Sequence, residues 1–336
     1  MSGRILYLDI IRIMACVMIV AMHAPIPNTG LNSYVLSTDS LLTAPGIGLF
    51  VMVSGALLLP MNMSTKQFLK KRFRKIVFPT LFWTLFYMLA FFYENGADRI
   101  DPIRVLLTMP FSNQYGATLW FLYMIAGLYL LVPILSSWIK NASKKEVEFY
   151  LILWTITLCY PYIGGFVGIN DSNTGILYYF GGYAGYFLLG YYLRTYVIAW
   201  NIWRCFILFL VPLSFAAFLK YWEIEINFYD SFGYLSFFVA MMSVGWFLLV
   251  KNVVLRNDIL RPYRDVSLVS NCCFGIYLVH LFVMRSLIWQ LTWLHDFGIL
   301  QIILVAFLTF IVSFTVTWLI SYLPGAEYII GFRQKR

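Results

Sequence analysis

Arg12 and His23 stand eleven residues apart in an apolar segment, RILYLDIIRIMACVMIVAMHA, that also carries Asp9. At 100° per residue, an offset of eleven returns to within about 20° of the starting direction, three helical turns on. Asp9, Arg12, Cys16, Ile19 and His23 therefore share one stripe, polar at both ends. The segment is long enough to cross a bilayer, which takes about 20 apolar residues. An ionisable side chain within such a span costs ~2.5–3.5 kcal/mol on insertion scales, so it normally faces protein or water and has a task. A neutral imidazole at His23 can take a proton from a hydroxyl as general base. Arg12, roughly 16 Å of helix rise away, can stabilise negative charge or orient a ligand, with Asp9 fixing it. The plainer alternative is structural. Asp9 and Arg12 would then pair to lower their insertion cost, and His23 would be an interfacial residue just before Ala24 and Pro25, where the helix ends.

A second group of chemistry-bearing residues lies in KKRFRK, where Arg72 and Arg74 sit at the start of another apolar run. Guanidinium groups pair bidentately with phosphate oxygens, so the cluster suits a phosphate-bearing ligand. It equally suits an anchor to anionic membrane lipid. Weaker signals come from Ser54 in a glycine-rich apolar stretch, Trp120 in LWFLY, and Tyr277 with His280 in IYLVHL. They form a possible pocket. His280 falls near the middle of its run and needs a polar partner there. Arg285 is similarly ambiguous between structure and function.

The elements that must position these residues are membrane helices. Of 336 residues, 61% are hydrophobic and 12% charged, about half the charge of a soluble domain. Mean hydropathy is +0.79. The apolar runs are continuous rather than alternating, which excludes a β-barrel. Asp9 and Arg12 interrupt the first run and no A-x-A-like site follows, so it is read as a retained span rather than a cleaved signal. The fold expected is all-α, a polytopic transmembrane bundle of about ten spans. They fall near 4–24, 43–60, 73–93, 118–138, 148–168, 175–193, 203–220, 231–250, 269–292 and 298–322, in one integral-membrane domain over 1–336 without a soluble domain. Gly181 and Gly185 in GGYAG have the spacing that permits close helix contact. Five cysteines, odd in number and without metal-site spacing, read as small buried hydrophobes, and no metal is expected.

The net charge of +9 is explained by topology and needs no nucleic acid. With a cytoplasmic N-terminus, 20 of the 24 Lys and Arg fall on the cytoplasmic side and three outside, while Arg285 lies in a span. That asymmetry follows the positive-inside rule and puts both termini in the cytoplasm.

The motifs resemble those of the membrane-bound acyltransferase 3 family, bacterial O-acyltransferases that decorate surface glycans, lipid-linked saccharides and some antibiotics. LDIIRIMACVMIVAMHA is similar to the family's first-span motif, with Arg12 and His23 eleven apart. GIGLFVMVSGALL resembles its second-span stretch through Gly46, Phe50, Ser54, Gly55 and Leu57. KRFRKIVFPTLFW resembles its Arg-x-Arg element through Arg72, Arg74 and Pro79. LWFLYMIAGLYLLVPIL matches a further stretch through Trp120, Phe121, Leu122 and Pro133, and GIYLVH a late Tyr-Leu-x-His element. Each is weak alone; five in order over residues 4–282 are specific. The nearest similarity is to small stand-alone enzymes that O-acetylate surface polysaccharides, and the chain lacks the SGNH-hydrolase-like domain of larger members.

The resemblance implies a membrane-bound O-acyltransferase of the bacterial inner membrane, with acetyl-CoA as acyl donor and a glycan or lipid-linked saccharide as acceptor. It implies that Arg72 and Arg74 bind the CoA phosphates, that the pantetheine arm passes Arg12, and that His23 is the base. Direct transfer and an acyl-His23 intermediate both fit. The competing class is a transporter or flippase for a saccharide or lipid-linked precursor, with His23, Arg12 and Arg285 along a polar path. Its expected mark, paired broken helices in corresponding halves, is not evident in the sequence.

Overall fold

A computed structural model describes residues 4–26, 39–95, 102–108, 119–160, 162, 180–198, 200–222, 232–256 and 264–334. Among the described residues the fold is helical throughout, with no strand. The helices are α1 (Leu6–Met22), α2 (Pro45–Leu58), α3 (Thr65–Asn95), α4 (Pro102–Thr108), α5 (Trp120–Ile139) and α6 (Lys144–Leu158). They continue as α7 (Ala184–Thr195), α8 (Ile202–Tyr221), α9 (Phe237–Arg256), α10 (Arg264–Val283), α11 (Leu300–Ile320) and α12 (Ala326–Ile329).

Among the described residues, six helical segments are long and apolar enough to cross a membrane: Asp39–Leu58, Trp120–Ile139, Ile202–Leu219, Phe237–Arg256, Asp265–Ile288 and Leu300–Ile320. Each coincides with an expected span. The other four expected stretches fall on α1, α3, α6 and α7. α1 is 17 residues long and carries two charges, and α3 opens on a run of cations. The stretches 148–168 and 175–193 reach into 163–168 and 175–179, outside the described residues.

α1 is central, packing on α2, α9, α10 and α11. Its buried face carries Leu8, Ile11, Ala15, Ile19 and Val20. α2 is also interior, with 78% of its membrane-length window buried, whereas the window on α8 is 11% buried and turns apolar side chains outward, as a lipid-facing helix does. The closest approach is between α2 and α7. A Cβ at Gly55 would fall on the Phe187 backbone, and one at Gly190 on the Met52 backbone. Only glycine lets two helix backbones come this near. Gly185, one of the pair noted in GGYAG, likewise lies flat against the Trp154 indole.

Local signals set the ends. α1 stops at His23, two residues before Pro25, whose ring cannot continue a helix. α6 begins on a capping box: Ser143 N–H donates to the Glu146 carboxylate at 2.6 Å, and Glu146 N–H donates to Ser143 Oγ. That bond holds the Glu146 carboxyl below its ordinary pKa. Cations close other ends. Arg194 donates to the Ala56 carbonyl near the end of α2, and Lys251 Nζ donates to the Leu193 carbonyl of α7 at 2.5 Å. Orphan carbonyls of a last turn are satisfied in this way. The last turn after α10 widens into a π-helical segment, Met284–Ile288, which carries Arg285.

Candidate functional site

Two polar groupings sit at opposite ends of α1. At the N-terminal end, the Asp9 side chain is almost fully buried and is held by three others. Arg4 Nε donates to Asp9 Oδ2 at 2.6 Å, and Arg4 Nη2 reaches Oδ1 at 3.3 Å. Ser270 Oγ, from α10, donates to Asp9 Oδ1 at 2.6 Å and accepts from Arg12 Nη1 at 3.0 Å. Arg12 lies 3.7 Å from Asp9 directly. Arg4 also donates to the Ser267 carbonyl and to Asn271 Oδ1, so α1 is stitched to α10 by a closed set of charge-assisted bonds. The spacing placed Asp9 and Arg12 together, and the structure brings them together.

At the C-terminal end, His23 caps α1 and its ring is half-buried. Nδ1 lies 2.8 Å from the Ile19 carbonyl. A carbonyl only accepts, so Nδ1 carries the proton, and in the neutral ring the lone pair is at Nε2. The His280 ring of α10 stands edge-on to it, centroids 5.1 Å apart at 67°. His280 repeats the pattern: Nδ1 is 2.6 Å from the Tyr277 carbonyl, and Nε2 is buried with no hydrogen-bond partner among the described residues. Sequence spacing had no means of pairing these two rings, since α1 and α10 are 257 residues apart at this point.

Aromatic rings surround the pair. Tyr277 lies 5.9 Å from His280 and 5.5 Å from Phe121. Trp120, next to Phe121, stacks on Tyr234 at 5.8 Å and 19°, and tilts against Tyr183 at 5.8 Å. The Tyr234 hydroxyl donates to Met22 Sδ at 3.1 Å, next to His23 in the chain. Trp120, Tyr277 and His280 thus belong to one neighbourhood with His23, and Tyr183 and Tyr234 join them unforeseen. Ser54 instead donates to the Phe50 carbonyl one turn back, at 3.0 Å, which satisfies a hydroxyl within its own helix.

Arg72 and Arg74 leave α3 on different sides, because two residues turn a helix by about 200°. Arg72 lies over the Phe68 ring at 5.8 Å, and Phe68 packs on Tyr129 of α5. The charges of Arg72 and Arg12 both bear on Tyr129 and on Lys75, so three cations share one region. Arg72 Nε is buried there without a partner among the described residues. Arg74 is exposed and rests on the Tyr328 ring of α12 at 4.7 Å. Among the described residues, no group of three His, Cys, Asp or Glu could hold a metal ion.

Residues that sequence reasoning missed are Ser270 and Asn271, which hold Asp9, Arg12 and Arg4. The one signal available was their polarity at the head of an apolar run, VSNCCFG. Arg4 had been counted only as a topological charge.

A family model described as an acyltransferase domain, of the acyltransferase 3 type, matches residues 5–322. That span includes Asp9, Arg12, Ser270, His23 and His280, the basic start of α3 and all of α10. No curated protein and no solved structure matches the chain.

Proposed function

The chain belongs to the acyltransferase 3 family, and from that premise we propose that it moves an acyl group, acetyl by default, from cytoplasmic acyl-CoA to a hydroxyl of a surface glycan or lipid-linked saccharide. The setting is the bacterial inner membrane, with ten spans, both termini cytoplasmic and His23 in the outer half. His23 Nε2 removes the proton of the acceptor hydroxyl as its oxygen attacks the thioester carbonyl. The C–S bond breaks and the thiolate recovers the proton from His23, giving an ester and free CoA thiol. Arg12, braced by Asp9 and Ser270, orients the arm of the donor or stabilises charge on it. Arg72 takes a CoA phosphate, and Arg74 takes another where the ligand leaves the protein.

The observation that carries this reading is the His23 ring. Its Nδ1 proton is committed to the Ile19 carbonyl, so the neutral ring carries its lone pair at Nε2, matched to no donor among the described residues, on the helix that also carries Arg12. Arg72 Nε, unpartnered among the described residues and beside two further cations, supports an anionic ligand at the other end.

The test is transfer of label from labelled acetyl-CoA to saccharide in inside-out vesicles from the native host. His23→Ala should lower the rate at saturating acetyl-CoA by roughly 10²–10⁴-fold while protein level and acetyl-CoA affinity stay near wild type. A rate within a few-fold of wild type would return His23 to a structural role. Cysteine labelling that put positions near Lys144 and Asp171 on the same side would overturn the ten-span topology.

A further inference from the structure

His280 takes no part in the transfer step above, yet its environment differs from that of a histidine kept for packing. It is 1% exposed, and its one proton goes to the Tyr277 carbonyl of its own helix. The atom left over, Nε2, is an acceptor sealed from solvent and matched to no donor among the described residues. Leaving a buried acceptor unpaired costs about 1–3 kcal/mol, and native proteins seldom carry such a group without a use for it. His23 offers a second lone-pair nitrogen from a ring only 5.1 Å away. Two neighbouring acceptors with no donor assigned to the buried one are complementary to a ligand that brings two neighbouring donors.

We infer that His280 Nε2 accepts a hydrogen bond from a second hydroxyl of the acceptor, adjacent to the hydroxyl that His23 deprotonates. The inference rests on the acyl-transfer reading and narrows its acceptor. Adjacent ring hydroxyls of a saccharide supply two donors at once. A monohydric alcohol supplies one and leaves His280 unpaired, a mismatch that sites built to bind a hydroxyl discriminate against strongly. Trp120, 36% exposed and stacked on Tyr234, adds an aromatic surface of the kind that receives the C–H face of a sugar ring. His280 is thereby an acceptor-positioning residue that decides which hydroxyl meets the base.

Two variants separate this from packing, in native-host vesicles supplied with labelled acetyl-CoA. His280→Phe keeps an aromatic ring and the edge contact with His23 but has no acceptor atom. His280→Gln loses the ring but keeps an acceptor oxygen at about the reach of Nε2. The glutamine variant should stay within about five-fold of wild type, and the phenylalanine variant should lose about 100-fold at saturating acetyl-CoA, with half-saturation by acetyl-CoA unchanged in both. Phenylalanine performing as well as or better than glutamine would show that His280 is packing and overturn the inference. Should His280→Phe fail to accumulate, His280→Leu takes its place in the same comparison. A wild type that binds acetyl-CoA but labels no saccharide removes the acyl-transfer reading and this inference with it. An active wild type with an equally active His280→Phe removes the inference alone.

Discussion

At one end of α1, Asp9 receives Arg4 and Ser270, and Ser270 in turn receives Arg12, so the contacts form a closed set. At the other end, His23 and His280 each spend a proton on a backbone carbonyl of their own helix, and the His280 acceptor is left unmatched. Both ends join the same two helices, α1 and α10. The difference shows what each junction is for. A network whose donors and acceptors meet one another fixes geometry, because the buried Asp9 carboxylate depends on these bonds for its solvation. A pair of rings with a spare acceptor gains from something that arrives.

The contrast predicts where mutations register. The largest effect should follow Asp9→Ala, which leaves Arg4 and Arg12 without their shared carboxylate. Each charge-assisted bond to the carboxylate is worth roughly 1.5–3 kcal/mol, less where the arginines keep contact with water, and several are lost at once, so thermal unfolding in detergent should shift clearly downward. A melting point equal to wild type would mean that the network is not a brace. Next comes Arg72→Lys. The charge survives, so insertion should be normal, but the planar fork is lost. Losing charge-assisted bonds to phosphate costs roughly 1.5–3 kcal/mol, which acetyl-CoA titration would register as about 10- to 100-fold weaker affinity. Unchanged affinity would make Arg72 a lipid anchor.

Smaller is Ser270→Ala, which removes the bridge while Asp9 and Arg4 keep their own contact. Stability should fall by about 1–2 kcal/mol, and the transfer rate by more than acetyl-CoA affinity, since Arg12 loses its orientation and not its charge. Threonine at this position should restore both. Arg74→Lys should matter least, because Arg74 is exposed, so its phosphate contact is shared with water and worth roughly 0–1 kcal/mol, and a lysine can still rest on the Tyr328 ring. An acetyl-CoA affinity lowered as far as in Arg72→Lys would show that Arg74 grips its phosphate as firmly as Arg72 does.

The stripe of α1 was legible in the sequence because helical periodicity is local: Asp9, Arg12 and His23 could be put on one face by counting. The helical class and the six long apolar helices were legible for the same reason, from run lengths. What crosses between helices was not. Ser270 reaches Asp9 over 261 residues, and no spacing rule reports on such a contact. His280 was flagged as needing a partner in the membrane, but periodicity could not say that half its need is met by its own backbone and half is left open. Reading Arg72 and Arg74 as a pair followed their closeness in sequence, whereas a helix sends alternate residues to different sides. Arg194 and Lys251 were counted as topological charges; the structure shows them closing helix ends on Ala56 and Leu193.

The glycine contact between α2 and α7 also limits traffic. Where Gly55 lies on the Phe187 backbone and Gly190 on the Met52 backbone, no side chains intervene that could swing aside. Parting those helices would mean separating main chains already at closest approach, and the Arg194 clasp on Ala56 ties their ends as well. Any ligand entering the bundle from the side must therefore pass elsewhere, while α2 and α7 stay together as a fixed seam.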